Sequence, residues 1–335
     1  MARTRYASDP GLIARMGATM FLLGLVFVAF GVGLVYLIAF ASTYKHGGSG
    51  VSSLSGDSIV IFAVIIGVVS ALASYFWSDK IALRTSRAKL VGPNDGPEAA
   101  RLHAIVDRLC AMADMPKPRI AIAPTQMPNA FATGRNSKTA VLCATRGIMD
   151  PRRLTNEELE GVIAHEMSHV AHKDVAVMTI ASFLGIIAAL MVRMAFYGEL
   201  FGGRGRSNNQ FTAILLPLMM LLSIVTYAVS FLLIRMLSRY RELAADRSGA
   251  LLTGQPSALA SALVKVSGEM AQIPTRDLRA AEPLNAFYFT PALRPQRPGQ
   301  GGGGLANVFS THPSLQKRLA QLEKISQQLG QQQLH

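Results

Sequence analysis

The chain has 335 residues, 50% of them hydrophobic, with a charged fraction of 16% and a mean hydropathy of +0.31. Soluble globular chains carry about 25% charged residues, so this composition argues against an ordinary soluble protein and for long apolar segments. The net charge of +13 would suit a nucleic-acid partner, but Arg3, Arg5, Arg15, Lys80, Arg84, Arg87, Lys89, Arg235, Arg239 and Arg241 all flank apolar runs, and no stretch interleaves aromatic with basic residues. That distribution is the mark of loops beside a membrane and excludes base stacking as the reason for the charge.

The first apolar run, residues 16–40, is uncharged and long enough to cross a bilayer, and it continues without a signal-peptide cleavage pattern. A Gly/Ser-rich stretch leads to a second run, 58–77, in which Tyr75 and Trp77 are placed as interfacial anchors. Basic residues on both outer ends of this hairpin put both ends in the cytoplasm. Residues 91–174 read as soluble: a helix around 97–112, then short strands at 119–123 and 139–144, separated by turn residues and expected to form a small antiparallel sheet. Cys110 and Cys143 fall here and are too few for a disulfide framework or a paired-cysteine zinc site. Two further runs, 175–197 and 211–234, form a second hairpin, with Arg193 near the end of its run where its stem can reach the headgroups. Residues 235–335 return to helical patterns, interrupted by a linker at 294–304 with four consecutive glycines. Leu315, Leu319, Leu322 and Leu329 then mark one face of a C-terminal helix. The expected architecture is mainly α: a polytopic membrane protein with four transmembrane helices and an α+β domain split between 91–174 and 235–335.

His165-Glu166-Met167-Ser168-His169 fits the pattern H-E-x-x-H. Thr155 followed by Glu158 reads as a capping box, and Leu159, Val162, Ile163 and Val170 recur at helical spacing, so the segment reads as a helix through His169. Residues four apart share a helix face, so the two imidazoles can converge on one zinc ion at about 2.0–2.1 Å, with Glu166 on the adjacent rim. Zinc acidifies bound water toward a pKa of about 7. Glu166 can then take the water's proton during attack on an amide carbonyl and pass it to the leaving amine. The plain alternative is a chance grouping on a solvated helix face, and a third ligand is what separates the two.

Downstream candidates for that ligand are His172, Asp174, Glu242, Asp246, Glu269, Glu282 and His312. His172 stands where the longer H-E-x-x-H-x-x-G-x-x-H motif requires glycine, and Val175 where it requires histidine, which excludes that class. Glu242 is better placed. Residues 238–246 open the helix after the fourth apolar run and set Glu242 and Asp246 on one face. Glu242 can coordinate directly while Asp246 accepts the free N–H of a bound imidazole. Alone, this pair would read as a helix surface salted by Arg239, Arg241 and Arg247; the upstream histidines favour the metal reading.

Taken together, these residues resemble the HtpX and Ste24 class of membrane zinc peptidases, the M48 family. The resemblance covers most of the chain and rests on the apolar runs, Asn129-Ala130-Phe131-Ala132-Thr133-Gly134, the H-E-x-x-H helix, the E-x-x-x-D element at Glu242 and Asp246, and Thr311-His312-Pro313. It implies a zincin-like cytoplasmic protease domain and one Zn2+ per subunit, bound by His165, His169 and Glu242, with Glu166 as general base and Asp246 behind a ligand. It further implies that Asn129, Ala130, Phe131 and Ala132 form an edge strand that pairs with substrate, and that His312 stabilises the oxyanion, with Arg318 a weaker candidate. The implied function is a multi-pass endopeptidase of a bacterial-type plasma membrane that acts on protein substrates, misfolded membrane proteins among them. A non-catalytic zinc-containing scaffold is the competing reading, and retention of Glu166 argues against it, since a structural zinc site needs no base. Transport is disfavoured because the apolar runs hold no cluster of acidic residues or histidines.

Overall fold

In the computed structural model, the residues described are 10–44, 79–134, 136, 138–201, 210–270 and 310–332, with isolated positions at 65, 69, 72, 76 and 77. The chain divides into two units. The first takes Met1–Met16, Tyr75–Val177 and Arg235–His335, and the second Gly17–Ser74 and Met178–Ile234. The linker at 294–304 and Glu282 lie outside the described residues.

The first unit is built on a four-stranded sheet in the order β1-β2-β4-β3, with β1 at Lys89–Leu90, β2 at Arg119–Ala123, β3 at Ala130–Thr133 and β4 at Val141–Thr145. The antiparallel sheet expected from the sequence is corrected here to a mixed one. β2 runs parallel to β4, with Arg119 opposite Val141, whereas β3 and β1 pair antiparallel to their neighbours. The chain leaves β2, forms the edge strand β3 first, and only then folds back between them as β4. Thr145 fixes the register of that return: its backbone N–H donates to the Asn129 carbonyl at 2.9 Å, and its hydroxyl accepts the Asn129 N–H at 2.9 Å. β4 is buried along its whole length, which suits its central position and the apolar run Val141 to Ala144 that opens it.

Helices α2 (Pro97–Ala113), α3 (Arg146–Met149), α4 (Asn156–Ala171), α7 (Pro256–Met270) and α8 (Leu315–Gln332) complete this unit together with the last part of α6 (Gln210–Thr253). Leu109, Leu142, Ile148, Leu159, Ile163, Met167, Leu259, Leu263 and Leu322 join in one core drawn from sheet and helices. Cys110 and Cys143 are buried and free, and burial pushes their thiols up to about 11 and about 12, so both stay protonated. α4, the motif helix, starts with the expected capping box between Thr155 and Glu158. Glu158 does more than cap: its carboxylate also accepts from Ser261 Oγ at 2.5 Å and Lys265 Nζ at 2.8 Å, which ties α4 to α7. At Gly161 the two helices approach so closely that a Cβ would sit 3.2 Å from the Leu259 Cα.

The second unit takes most of α1 (Pro10–Tyr44), most of α5 (Asp174–Phe201) and the first part of α6. Two helices among the described residues are long and apolar enough to cross a membrane, Pro10–Gly33 and Pro217–Thr253; a third candidate arises if Asn156–Ala171 and Asp174–Ile187, bent by 57°, count as one broken span. Among the described residues the count is therefore two rather than the four expected from the sequence. The run at 58–77 lies almost wholly outside the described residues, and the run at 175–197 falls within the helix Asp174–Phe201. Phe21, Leu25, Val28, Leu221 and Val225 are all about half exposed or more. An apolar surface of that kind suits lipid rather than water.

Candidate active site

α4 presents His165 and His169 on one face, and α6 brings Glu242 against them. The two Nε2 atoms are 3.3 Å apart, and Glu242 oxygens lie 3.7 Å from His165 Nε2 and 3.6 Å from His169 Nε2. Behind the rings, His165 Nδ1 is 2.9 Å from Asp246 Oδ1, and His169 Nδ1 is 2.5 Å from Asp174 Oδ2. Each Nδ1–H therefore faces a carboxylate, which leaves each Nε2 with its lone pair directed at the other and at Glu242. Three electron-rich groups converge on one point, and only a cation satisfies all three. Donor separations of this size match the edges of a tetrahedron with metal–ligand bonds of about 2.0–2.2 Å.

Close approach of α6 to α4 makes this convergence achievable. A Cβ on Gly249 would lie 2.9 Å from the His165 backbone nitrogen and 3.2 Å from the Ala164 carbonyl carbon, so a side chain there would push α6, and Glu242 with it, away from the histidines.

Charge balance points to a dication as well. Glu166, Glu242, Asp246 and Asp174 are all buried, as are Arg241 and Arg318. Four carboxylates thus face two guanidinium groups, leaving two negative charges in a site where uncompensated charge is costly. Burial opposes ionisation of Glu242, Asp246 and Asp174, but His312 with His169 and His165, Arg318 with His165, and Arg241 with His169 respectively outweigh it and hold these carboxylates below their usual range. Glu166 goes the other way: burial pushes it up to about 8, with the Glu242 charge adding to the effect. Burial also resists protonation of His169, yet the hydrogen bond and charge of Asp174 and the charges of Glu242 and Glu166 together push it up to about 9. Near neutral pH, protons on Glu166 and His169 supply the two positive charges that a dication would bring. Metal and protons therefore compete. Metal affinity is expected to climb with pH through the range of these two groups and to flatten above about pH 9; a chelator-competition titration giving a flat profile from about pH 6 to about pH 8 would contradict this account.

The remaining predicted residues fall as follows. His312 Nδ1 lies 3.0 Å from Glu242 Oε2. Ala132, on the edge strand β3, donates its backbone N–H to Glu166 Oε2 at 3.2 Å, and Ala130 and Phe131 precede it on that strand while Asn129 sits just ahead of its start. His172 caps the C-terminus of α4, and Glu269 pairs with Arg153 at 3.1 Å, apart from the cluster. Two contributions are additional to those expected from sequence. Arg318 grips Asp246 with two bonds of 2.6 and 2.7 Å and is itself buried. Asp174, weighed from sequence only as a ligand, stands behind His169 and pairs with Arg241 at 2.5 Å.

The model of peptidase family M48 matches residues 97–326, a stretch that holds every one of these groups. The chain belongs to peptidase family M48. It is 53% identical over 329 residues to Protease HtpX homolog 1 of Streptomyces coelicolor, covering 98% of this chain and 97% of that one. It is 47% identical over 329 residues to a Protease HtpX homolog of Moorella thermoacetica, with 98% of each covered. A crystal structure of S. mikatae Ste24p is similar over 92% of this chain and 66% of that one, at 18% identity and a TM-score of 0.48. As a member of this family the chain is a membrane-bound, zinc-dependent endopeptidase.

Proposed function

We propose that one zinc ion per subunit is held by His165, His169 and Glu242, and that Glu166 is the general base. The observation that carries this reading is the convergence of two imidazole lone pairs and a carboxylate within 3.3 to 3.7 Å of one another. Zinc, when bound, supplies a Lewis acid that polarises the scissile carbonyl and makes water more acidic. The chain's own groups do the rest. Glu166, beside the histidines, accepts a proton from the attacking water and returns it to the leaving amine. Asp246, held by Arg318, orients His165 from behind. His312, with Nδ1 turned to Glu242, keeps Nε2 for the developing oxyanion. Asn129, Ala130, Phe131 and Ala132 offer the edge along which an extended substrate adds as a strand; pairing through backbone makes selection by side chain weak.

Blocks 91–174 and 235–335 act in this reading as one protease domain, and 1–90 and 175–234 as its membrane anchor in the lipid bilayer. The basic residues around the apolar runs support a reading in which the active site and both termini lie on the cytoplasmic side of a plasma membrane. Weak sequence selectivity at a membrane surface suits quality control, the removal of misfolded membrane proteins. One experiment tests orientation and chemistry together: inverted membrane vesicles should cleave casein added outside, right-side-out vesicles should not, and a zinc chelator should stop the reaction until zinc is restored. Cleavage by right-side-out vesicles only would reverse the orientation, and cleavage that survives metal removal would end the zinc assignment.

A further inference from the structure

His169 has a connection that the proposed ligand set leaves unexplained. Asp174 Oδ2 lies 2.5 Å from its Nδ1, Asp174 is only 3% exposed, and Arg241 reaches the same oxygen at 2.5 Å. A continuous helix could not make this contact. Five residues on, a side chain is about 140° around the axis, on another face. Here α4 closes at His172, Lys173 adopts a left-handed φ of 56°, and α5 begins at Asp174. A left-handed conformation is unfavourable for a residue with a Cβ, and this break is what turns Asp174 back to the His169 ring.

The same arrangement stands behind the other histidine. His165 Nδ1 faces Asp246, whose two oxygens are gripped by Arg318. In each case a carboxylate fixes the ring's tautomer and rotation, so that Nε2 carries its lone pair toward the metal position. An arginine then holds the carboxylate and offsets a charge that would otherwise be buried alone. An acid that merely stabilised the N-terminus of α5 would need neither a ring nitrogen nor a buried guanidinium against it.

We propose that Asp174 and Arg241 are positioning residues that hold His169 in its metal-binding orientation, forming a second histidine–carboxylate–arginine chain beside His165, Asp246 and Arg318. This rests on the reading of His165, His169 and Glu242 as metal ligands. Arg241 directly precedes Glu242, so one turn of α6 delivers a ligand and anchors the carboxylate that orients another.

The test uses the full chain in detergent, stripped of metal. Zinc Kd is measured by competition with a chromogenic chelator, and the absorption spectrum of the Co2+ form is recorded beside it. Asp174→Ala should raise Kd about 10- to 100-fold and shift the Co2+ bands. Asp174→Asn, whose amide oxygen still accepts from Nδ1–H, should recover part or all of that loss. Arg241→Gln should weaken binding as well. Wild-type Kd and an unchanged Co2+ spectrum in Asp174→Ala and Arg241→Gln overturn the proposal. If Asp174→Ala does not fold, Arg241→Gln decides by the same criterion. Loss of zinc in Asp174→Asn as complete as in Glu242→Ala would make Asp174 a ligand, and overturns a positioning role too. Glu242→Ala also separates the two readings: wild-type affinity in that variant defeats the ligand assignment, whereas loss there with wild-type affinity in the Asp174 and Arg241 variants defeats only the positioning role.

Discussion

Glu166→Gln is expected to lower peptide-bond cleavage by about 10²- to 10⁴-fold, the usual contribution of a general acid–base group, while the metal stays bound. The substitution preserves shape: the amide oxygen of Gln can still accept the Ala132 N–H that Glu166 Oε2 now accepts at 3.2 Å. What disappears is the group able to take and return a proton. The measurement is a pair: zinc content per chain, and initial rate on casein or a membrane-protein substrate in detergent. Equal rates for variant and wild type would remove Glu166 from the mechanism. The zinc reading matters just as much, because His165, Glu166 and His169 have ligand atoms all within 4.8 Å of one another, which makes Glu166 a rival to Glu242 for the third position. Metal lost along with activity would hand that position to Glu166.

Glu242→Ala is expected to give the opposite pattern, with zinc falling from about one per chain toward none and activity falling with it. In the proposed ligand set this carboxylate is the third donor of a catalytic zinc site, and its removal also leaves His312 without the partner now 3.0 Å from its Nδ1. Elemental analysis after dialysis against a weak chelator checks the expectation. Wild-type zinc affinity would mean that another group supplies the third ligand. The two substitutions together form a cross: metal without turnover in one, neither in the other.

The motif helix is legible from sequence because its signals are local. Thr155 and Glu158 cap it, its apolar residues recur at helical spacing, and both histidines lie on one continuous turn of backbone. Glu242 and Asp246 are legible for the same reason, as neighbours on one helix face. The Asp174 chain is not legible, because helical periodicity carries no sign of the break at Lys173; read as an unbroken helix, the segment puts Asp174 on the wrong side of His169. Arg318 is hidden differently. The resemblance offers it only as a weaker candidate beside His312, and its pairing with Asp246, 72 residues earlier, is a long-range contact that helical periodicity does not carry. Strand positions could be found from apolar runs and turns, but not the parallel pairing of β2 with β4, since alternation does not name a partner.

The C-terminal segment that carries His312 and Arg318 has a consequence for timing. Glu242 and Asp246 leave the ribosome well before the groups that hold them, and at about 5–20 residues per second the 72-residue interval between Asp246 and Arg318 takes roughly 4 to 14 seconds. Through that interval the nascent chain already carries H-E-x-x-H and E-x-x-x-D, yet Asp246 has no arginine to steady it and Glu242 no His312 beside it. The cluster around Glu242 and Asp246 can therefore be completed only once the chain has been synthesised as far as Arg318.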